Sequence, residues 1–291
     1  MENNFLGIPD KYSNKEHSKI IILPVPFEKT TSYIQGTNNG PRAIIEASKN
    51  LELYDIETDF EVYKKGIFTD SEKKYSSSEE MVLKLKEEIS SYLKEDKFVV
   101  TIGGEHSVSL APIKAHAEHF EKVSILQFDA HADLMMAYEN DPYSHASVMA
   151  RVNELSNISN IVSVGIRSMD VSEKKMQNTK NTFFAHDIHN DSNWMEKACS
   201  LLSDTVYITF DLDVFDSSLM PSTGTPEPGG LFWHQITQFL KLVAKRKKII
   251  GFDVVELCPI PNFIAPDFLT AKLIYKLLSY VFHNKGDENG N

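Results

Sequence analysis

Cysteine is scarce in this sequence, and no apolar run is long enough to span a membrane. The 291 residues include only two cysteines, Cys199 and Cys258, too few for the disulfide framework of a secreted domain. We interpret both as small buried side chains. Residues 1–5 have neither the basic nor the apolar region of a signal peptide. These absences predict a cytoplasmic protein with no membrane segment.

Basic residues are also fewer than acidic residues. The chain has 30 Lys and Arg residues against 41 Asp and Glu residues, a formal net charge of −11. This balance disfavours nucleic acid and anionic membranes as partners and suits a cationic ligand. A basic cluster at 245–248 could form an anion-binding or nucleic-acid patch. We interpret it instead as the carboxyl end of a helix, where cations stabilise the helix dipole.

Apolar segments alternate with helical segments along most of the chain. Strands are predicted at 20–23, 98–102, 123–128, 161–166, 183–184, 206–210 and 249–255. Helices are predicted at 41–47, 78–94, 146–155, 194–202, 233–245 and 266–282. A further helix is predicted from the turn at 103–107 to about residue 119. This alternation is typical of one α/β domain, here 1–291, with helices on both faces of a parallel sheet. We expect 1–18 to be an arm and 284–291 a flexible tail.

Residues that can bind metal follow three of the predicted strands. The stretch F-D-A-H-A-D-L at 128–134 would place Asp129, His131 and Asp133 on one face of an extended backbone. Alone, this stretch could equally be a polar loop that caps a helix. However, His106 follows the strand 98–102, and the pair Asp211 and Asp213 follows 206–210. Because the carboxyl ends of parallel strands lie at one edge, we expect these six residues to meet there.

Four aspartates at one edge of a sheet would repel each other unless cations lay between them. Two divalent ions would balance the four carboxylates. In two-metal sites the ions also lower the pKa of bound water toward about 7. The ligands are oxygen and nitrogen atoms with no thiolate, which favours Mn²⁺ over structural zinc. The residues therefore predict two divalent ions per subunit, and ligand type alone does not decide which metal they are.

The same motifs resemble those of the ureohydrolase (arginase/agmatinase) family, and agmatinases in particular, over nearly the whole chain. The matching stretches are G-G-E-H-S at 103–107, F-D-A-H-A-D-L at 128–134, S-H-A-S-V-M at 144–149, V-G-I-R-S at 164–168, the run 210–230 and D-V-V-E-L-C-P at 253–259. The resemblance implies an arginase-like three-layer α-β-α fold with a mostly parallel sheet of about eight strands. It also implies two Mn²⁺ ions and a homo-oligomer, often a trimer or hexamer.

The resemblance further assigns the ligands to two ions. One ion would be held by His106, Asp129, Asp133 and Asp211. The other would be held by His131, Asp129, Asp211 and Asp213. Asp129 and Asp211 would therefore bridge the ions, which makes Asp129 a catalytic residue as well as a ligand. Asp216, which follows in the same motif, is interpreted as the cap of the next turn.

Two further residues would act on the substrate. Glu256 follows the strand 249–255 and matches the guanidinium-binding glutamate of the family. A carboxylate suits this role because it pairs bidentately with a planar guanidinium, although on its own Glu256 could equally form a surface salt bridge. By resemblance, His145 would carry the proton for the departing amine. It would thus act with Glu256 in both substrate binding and catalysis.

The loop 134–144 is expected to face the far end of the substrate. Its acidic residues Glu139 and Asp141 would attract an ammonium group and repel a carboxylate. This favours a small cationic guanidino substrate, agmatine, hydrolysed to putrescine and urea. N1-aminopropylagmatine is the alternative, and arginine and guanidinobutyrate are less favoured. A regulatory pseudoenzyme and a metal-dependent deacetylase are alternatives from other classes, against which the complete ligand set and Glu256 argue.

Overall fold

The computed structural model describes residues 4–283, which contain one eight-stranded sheet in which every neighbouring pair of strands is parallel. The strand order is β2-β1-β3-β8-β7-β4-β5-β6. The strands are β1 Ile20–Val25, β2 Ile67–Thr69, β3 Phe98–Gly103, β4 Val123–Phe128, β5 Ile158–Ile166, β6 Thr182–Phe184, β7 Thr205–Asp211 and β8 Lys248–Val255. The predicted fold class is confirmed.

Helices connect the strands and cover both faces of the sheet. They are α1 Asp10–Ser13, α2 Gly40–Ser48, α3 Ser78–Lys94, α4 Leu110–His119, α5 Val148–Val152, α6 Ala185–Ile188, α7 Trp194–Leu201, α8 Trp233–Arg246 and α9 Ala265–His283. Parallel neighbours require such crossovers because a tight hairpin can join only antiparallel strands. Among the described residues, no helix combines the length and apolarity needed to cross a membrane.

Side chains that alternate along the strands divide the interior into two cores. Along β1, Ile20 and Ile22 belong to the core that includes residues of α2, α8 and α9, whereas Ile21, Leu23 and Val25 belong to the core that includes residues of α3 and α4. All five side chains are fully buried. The sheet therefore lies between two helical layers and is apolar on both faces, as strand sequences rich in Ile and Val predict. This rigid frame fixes the positions at which its strands end.

The structure departs from the predicted elements near the amino terminus. The short edge strand β2 was not predicted, because three residues show no periodicity. Strand β1 continues through Pro24, which lies beyond the three residues, 20–22, that pair with β2. The part of the expected arm that is described packs against the core through Phe5, Leu6 and Ile8, each at most 5% exposed. The predicted tail, 284–291, lies outside the described residues.

A buried histidine lies beneath the sheet on α4. His116 is fully buried, and its Nδ1 atom lies 2.7 Å from the carbonyl oxygen of Pro112. Its ring packs against Tyr207 with a centroid distance of 4.6 Å. Gly251 in β8 leaves room for the ring, since a Cβ atom there would come within 2.4 Å of Nε2. Burial lowers the pKa of His116 to about 4.

This pKa predicts that acid destabilises the fold through His116. The unfolded chain would bind a proton at this residue below about pH 6.5, whereas the folded chain would not do so until about pH 4. The free energy of unfolding should therefore fall as the pH is lowered through this window, by about 3 kcal/mol in total. Urea unfolding of the wild type and His116→Gln should show the wild-type advantage shrinking by about 2 kcal/mol between about pH 7 and pH 5. The exposed His119→Gln is the matched control, and an advantage that does not change with pH would contradict the assignment.

Candidate metal centre and active-site cavity

A cavity of about 210 Å³ opens at the carboxyl edge of the sheet. The four central strands, β3, β8, β7 and β4, are consecutive neighbours, and each is followed by residues predicted for the site. The predicted residues that line the cavity are His106, His131, Asp133, His145, Asp211, Asp213 and Glu256. Asp129 lies beneath them and is fully buried. The topology therefore brings together residues that lie up to 150 positions apart in the sequence.

Unusual backbone conformations direct several of these side chains toward the cavity. Gly104 allows the chain to pass Phe27 before His106, since a Cβ atom at Gly104 would lie 2.1 Å from the carbonyl oxygen of Phe27. Asp133 and Glu256 adopt left-handed φ angles of 53° and 68°. Non-glycine residues rarely occupy this region, and those that do are concentrated at functional sites.

Two clusters of imidazole and carboxylate groups could each hold one ion. In the first, His106 Nδ1 lies 2.8 Å from Asp133 Oδ2 and 3.1 Å from Asp129 Oδ2. In the second, His131 Nδ1 lies 2.9 Å from Asp213 Oδ2 and 3.7 Å from Asp129 Oδ1. Within each cluster, one ligand atom from every residue lies within 4.8 Å of the others. The two carboxylate oxygens of Asp129 thus face different clusters, as its predicted bridging role requires.

Asp211 lies at the side of the first cluster. Its Oδ2 atom is 3.4 Å from His106 Nδ1, and its Oδ1 atom accepts the backbone N–H of Asp213 at 2.9 Å. Among the described residues, the two tight ligand groups do not include it. Its position is compatible with a ligand to the first ion, and its predicted bridging role stays a prediction.

The buried carboxylates at this edge of the sheet would be stabilised by cations. Burial and the carboxylates of Asp133 and Asp213 raise the pKa of Asp129 to about 7. Burial and nearby carboxylates also raise the pKa of Asp211 well above its usual range. Burial by itself lowers the pKa of His131, but Asp213 and Asp129 raise it to about 10. Without metal, the cluster would therefore hold protons at neutral pH that divalent ions displace.

The environment of His106 also fits a metal ligand. Its Nδ1 atom is buried and has no hydrogen-bond partner among the described residues, although three carboxylate oxygens surround it. Its Nε2 atom lies 3.1 Å from Thr209 Oγ1, which donates to the buried carboxylate of Asp253 at 2.8 Å. Such support on the far side of an imidazole is typical of metal-binding histidines. The residues present therefore fit a divalent cation.

The two residues predicted to act on the substrate face the same cavity. Glu256 Oε1 accepts the backbone N–H of His106 at 2.6 Å, which ties this carboxylate to the metal cluster. Burial and the nearby Glu105 raise the pKa of Glu256 well above its usual range, so a cation in the cavity would stabilise its ionised form. The ring of Tyr138 packs edge-on against His145, with centroids 5.3 Å apart.

The loop residues predicted to bind the far end of the substrate lie elsewhere. Neither Glu139 nor Asp141 belongs to the described lining of the cavity, and Glu139 is exposed. Asp141 Oδ2 accepts the hydroxyl hydrogen of Ser78 at 2.9 Å, and its backbone forms two hydrogen bonds with Tyr138. Asp141 therefore anchors the loop to α3 and holds Tyr138 at the cavity wall.

Acidic residues from the loop after β5 line the cavity instead. Asp170 and Glu173 both belong to its wall. The Ser172 hydroxyl and backbone N–H both donate to Asp170 and lower its pKa, so this exposed carboxylate is ionised at neutral pH. Glu173 is buried and accepts the backbone N–H groups of Leu134 and Asp170. Sequence analysis missed both, although their position after a parallel strand was a usable signal.

The loop 213–228 is fixed by Arg167, which the sequence singled out only as part of the matching stretch V-G-I-R-S at 164–168. Its guanidinium donates to the carbonyl oxygens of Asp213, Glu227 and Pro228 at 2.6, 2.8 and 3.1 Å. It also donates to Phe215 at 3.3 Å. Because Asp213 belongs to the second cluster, Arg167 fixes the backbone of a residue of that cluster. Asp216 caps the following turn as predicted, since its carboxylate accepts N–H groups of Ser218, Gly229 and Gly230.

Comparison with known proteins identifies the family. The Arginase family profile matches residues 18–280. The N(1)-aminopropylagmatine ureohydrolase of Synechocystis sp. is 34% identical, with 96% of each chain covered. The agmatinase of Pyrococcus horikoshii is 32% identical over 89% of this chain and 90% of its own. The structure of the agmatine ureohydrolase of Thermoplasma volcanium has the same fold, with a TM-score of 0.88 at 24% identity over 98% of this chain and 96% of its own. This chain belongs to the Arginase family and is a ureohydrolase of that family.

Proposed function

We propose that this protein hydrolyses the guanidinium group of a cationic amine and releases urea, using two divalent ions. The observation that supports it is the pair of clusters that share Asp129 beside the buried Glu256. The proposed ions are Mn²⁺, held by the ligand sets that the sequence predicts. When bound, such ions supply an acidified water as nucleophile. The proposal extends to a homo-oligomer, a trimer or hexamer, which light scattering would test.

The residues of this chain would then align the cation and protonate the amine that leaves. Both oxygens of Glu256 can accept N–H groups of a guanidinium, which orients the planar carbon toward the clusters. Bond cleavage leaves the electron pair of the C–N bond on the amine nitrogen, which needs a proton to depart. His145 lines the same cavity and would donate that proton as a general acid.

Agmatine is the substrate proposed from the sequence, and its N1-aminopropyl derivative is the second candidate. The derivative is favoured by the name of the Synechocystis relative, and agmatine by that of the Pyrococcus relative. Both carry an ammonium group at the far end, which suits the ionised carboxylate of Asp170 at the cavity wall. Arginine and guanidinobutyrate would bring a carboxylate to the same place and are disfavoured.

Urea release from a panel of guanidino compounds tests this proposal. The Mn²⁺-loaded protein is incubated with agmatine, N1-aminopropylagmatine, arginine and 4-guanidinobutyrate, and kcat/KM is compared. The two cationic amines should be hydrolysed best, and their order decides between the two candidates. Arginine or guanidinobutyrate as the best substrate would contradict the proposed role of the acidic wall. No urea from any of the four would contradict the proposed function.

The Asp170→Asn variant tests which loop selects the substrate. Because an exposed ion pair contributes up to about 1 kcal/mol, KM for agmatine should rise about fivefold while kcat changes little. KM for 4-guanidinobutyrate should fall or stay constant, since a repulsive charge is removed. The comparison variant is Glu139→Gln, which removes a charge from the loop 134–144. A larger rise in KM for Glu139→Gln than for Asp170→Asn would assign the substrate's far end to that loop instead.

A further inference from the structure

A buried carboxylate lies behind His145, outside the lining of the cavity. Glu105 is fully buried. It accepts the backbone N–H groups of Lys29 and Thr30 at 2.6 and 2.7 Å and the Thr30 hydroxyl at 2.8 Å. The Ser107 hydroxyl also donates to it. These contacts hold the loop after β1 against the end of β3.

The hydroxyl of Thr30 connects this carboxylate to His145. Its Oγ1 atom accepts the backbone N–H of His145 at 3.0 Å and lies 3.1 Å from the Nδ1 atom of the ring. The single hydroxyl hydrogen of Thr30 is directed to Glu105, because a carboxylate only accepts. Thr30 can therefore act toward the ring only as an acceptor. The Nδ1 atom must carry a hydrogen, which leaves Nε2 as the nitrogen that exchanges protons.

We propose that Thr30 and Glu105 are positioning residues that hold His145 in the tautomer with hydrogen on Nδ1. The Nε2 atom is then the ring nitrogen that exchanges a proton with the substrate in the cavity. This inference rests on the proposed function, in which His145 protonates the leaving amine. In that step His145 starts as the imidazolium, with hydrogen on both ring nitrogens. The C–N bond breaks, its electron pair stays on the amine nitrogen, and the proton of Nε2 moves to that nitrogen, which leaves the neutral tautomer with hydrogen on Nδ1. The Nδ1 hydrogen and the hydrogen bond from Thr30 to Glu105 stay in place. Nε2 then regains a proton from a water in the cavity, and the hydroxide left behind is the nucleophile that the next hydrolysis consumes.

A purely structural role for these contacts makes a different prediction. If Thr30 only fixed the loop after β1, loss of its hydroxyl would lower the free energy of unfolding, because the hydrogen bonds to Glu105 and from the His145 N–H are lost, but the tautomer of the ring would not change. If Thr30 positions the tautomer, Thr30→Val would also change the tautomer and lower kcat, and Thr30→Ser would restore both. The edge-on packing of Tyr138 against the ring limits its rotation but offers no substitute hydrogen bond.

Kinetics of Thr30→Val and Thr30→Ser in the full-length, Mn²⁺-loaded protein test this proposal. General acid catalysis contributes about 10²–10⁴-fold, and Thr30→Val should lose about 10–100-fold of it in kcat, with KM for agmatine nearly unchanged. Thr30→Ser should recover most of the loss. Thr237→Val makes the same chemical change in α8, where the hydroxyl donates to the carbonyl of Trp233, and should match the wild type. Metal content is measured for every variant.

The tautomer can also be observed directly by ¹⁵N NMR of the histidine rings in metal-free protein, with the His145 signals assigned through His145→Gln. The wild type and Thr30→Ser should show hydrogen on Nδ1, and Thr30→Val should show a mixture of tautomers. Should Thr30→Val not fold, Thr30→Ala carries the same expectation. Wild-type kcat in Thr30→Val, or a tautomer that does not change, would overturn the proposal. Failure of the wild type to release urea would instead contradict the proposed function, and the ring spectra would still decide the tautomer.

Discussion

Replacing Asp129 with asparagine should abolish urea release and prevent the protein from binding two metal ions. The Oδ2 atom of Asp129 faces His106 and its Oδ1 atom faces His131, so one substitution damages both clusters. An amide presents an N–H₂ group where one ion needs an oxygen. Loss of about 4 kcal/mol or more of electrostatic stabilisation would lower kcat/KM by at least about 10³-fold. Metal analysis and a urea assay on the same sample measure both effects.

The matched control for this prediction is Asp216→Asn. Asp216 lies in the same run, 210–230, but its carboxylate caps a turn, and asparagine can keep part of that cap. This variant should bind metal and release urea nearly as the wild type does. An Asp129→Asn variant that bound two ions and retained activity would contradict the proposal that the Asp129 carboxylate binds both ions.

Replacing Glu256 with glutamine should lower kcat/KM by about 10²–10³-fold while leaving the metal content unchanged. Removing one partner of a buried, hydrogen-bonded charge pair costs about 2–5 kcal/mol, and each 1.4 kcal/mol corresponds to about tenfold. Glutamine keeps the shape of the side chain and can still accept the backbone N–H of His106 at Oε1. The loss should therefore report the missing charge and not a collapsed site.

Two observations would contradict this role for Glu256. The first is a Glu256→Gln variant with its full metal content and kcat/KM within about threefold of the wild type. The second is an equal loss of metal and activity, which would make Glu256 a support for His106 and not a partner of the guanidinium. Glu256→Asp separates the cases further, because it keeps the charge but withdraws it from the cavity.

Sequence patterns predicted most of the fold because its strands are buried on both faces and read as continuous apolar runs. Strand β2 was not predicted, because three residues show no periodicity, and the apolar residues among 4–18 were too few to predict that this segment packs against the core. Phe5, Leu6 and Ile8 nevertheless fill the core, a contact that depends on the path of the chain and not on local periodicity.

The site was predictable where it follows from topology. The rule that parallel strands end at one edge was enough to gather His106, Asp129, Asp133, Asp211 and Glu256. It could not place the loops, whose contacts come from distant segments. Ser78 holds Asp141 from 63 positions away, and Thr30 lies 115 positions from His145. The acidic wall of the cavity therefore came from the loop after β5 and not from the loop beside His145.

The most direct test of the account is a titration in which bound Mn²⁺ and urea release from agmatine and N1-aminopropylagmatine are measured on the same sample. Activity on at least one of these amines is expected to rise as the second ion binds and to saturate at two ions per chain, because the two clusters share Asp129. Full activity with one ion or none, or no urea at two ions per chain, would contradict it.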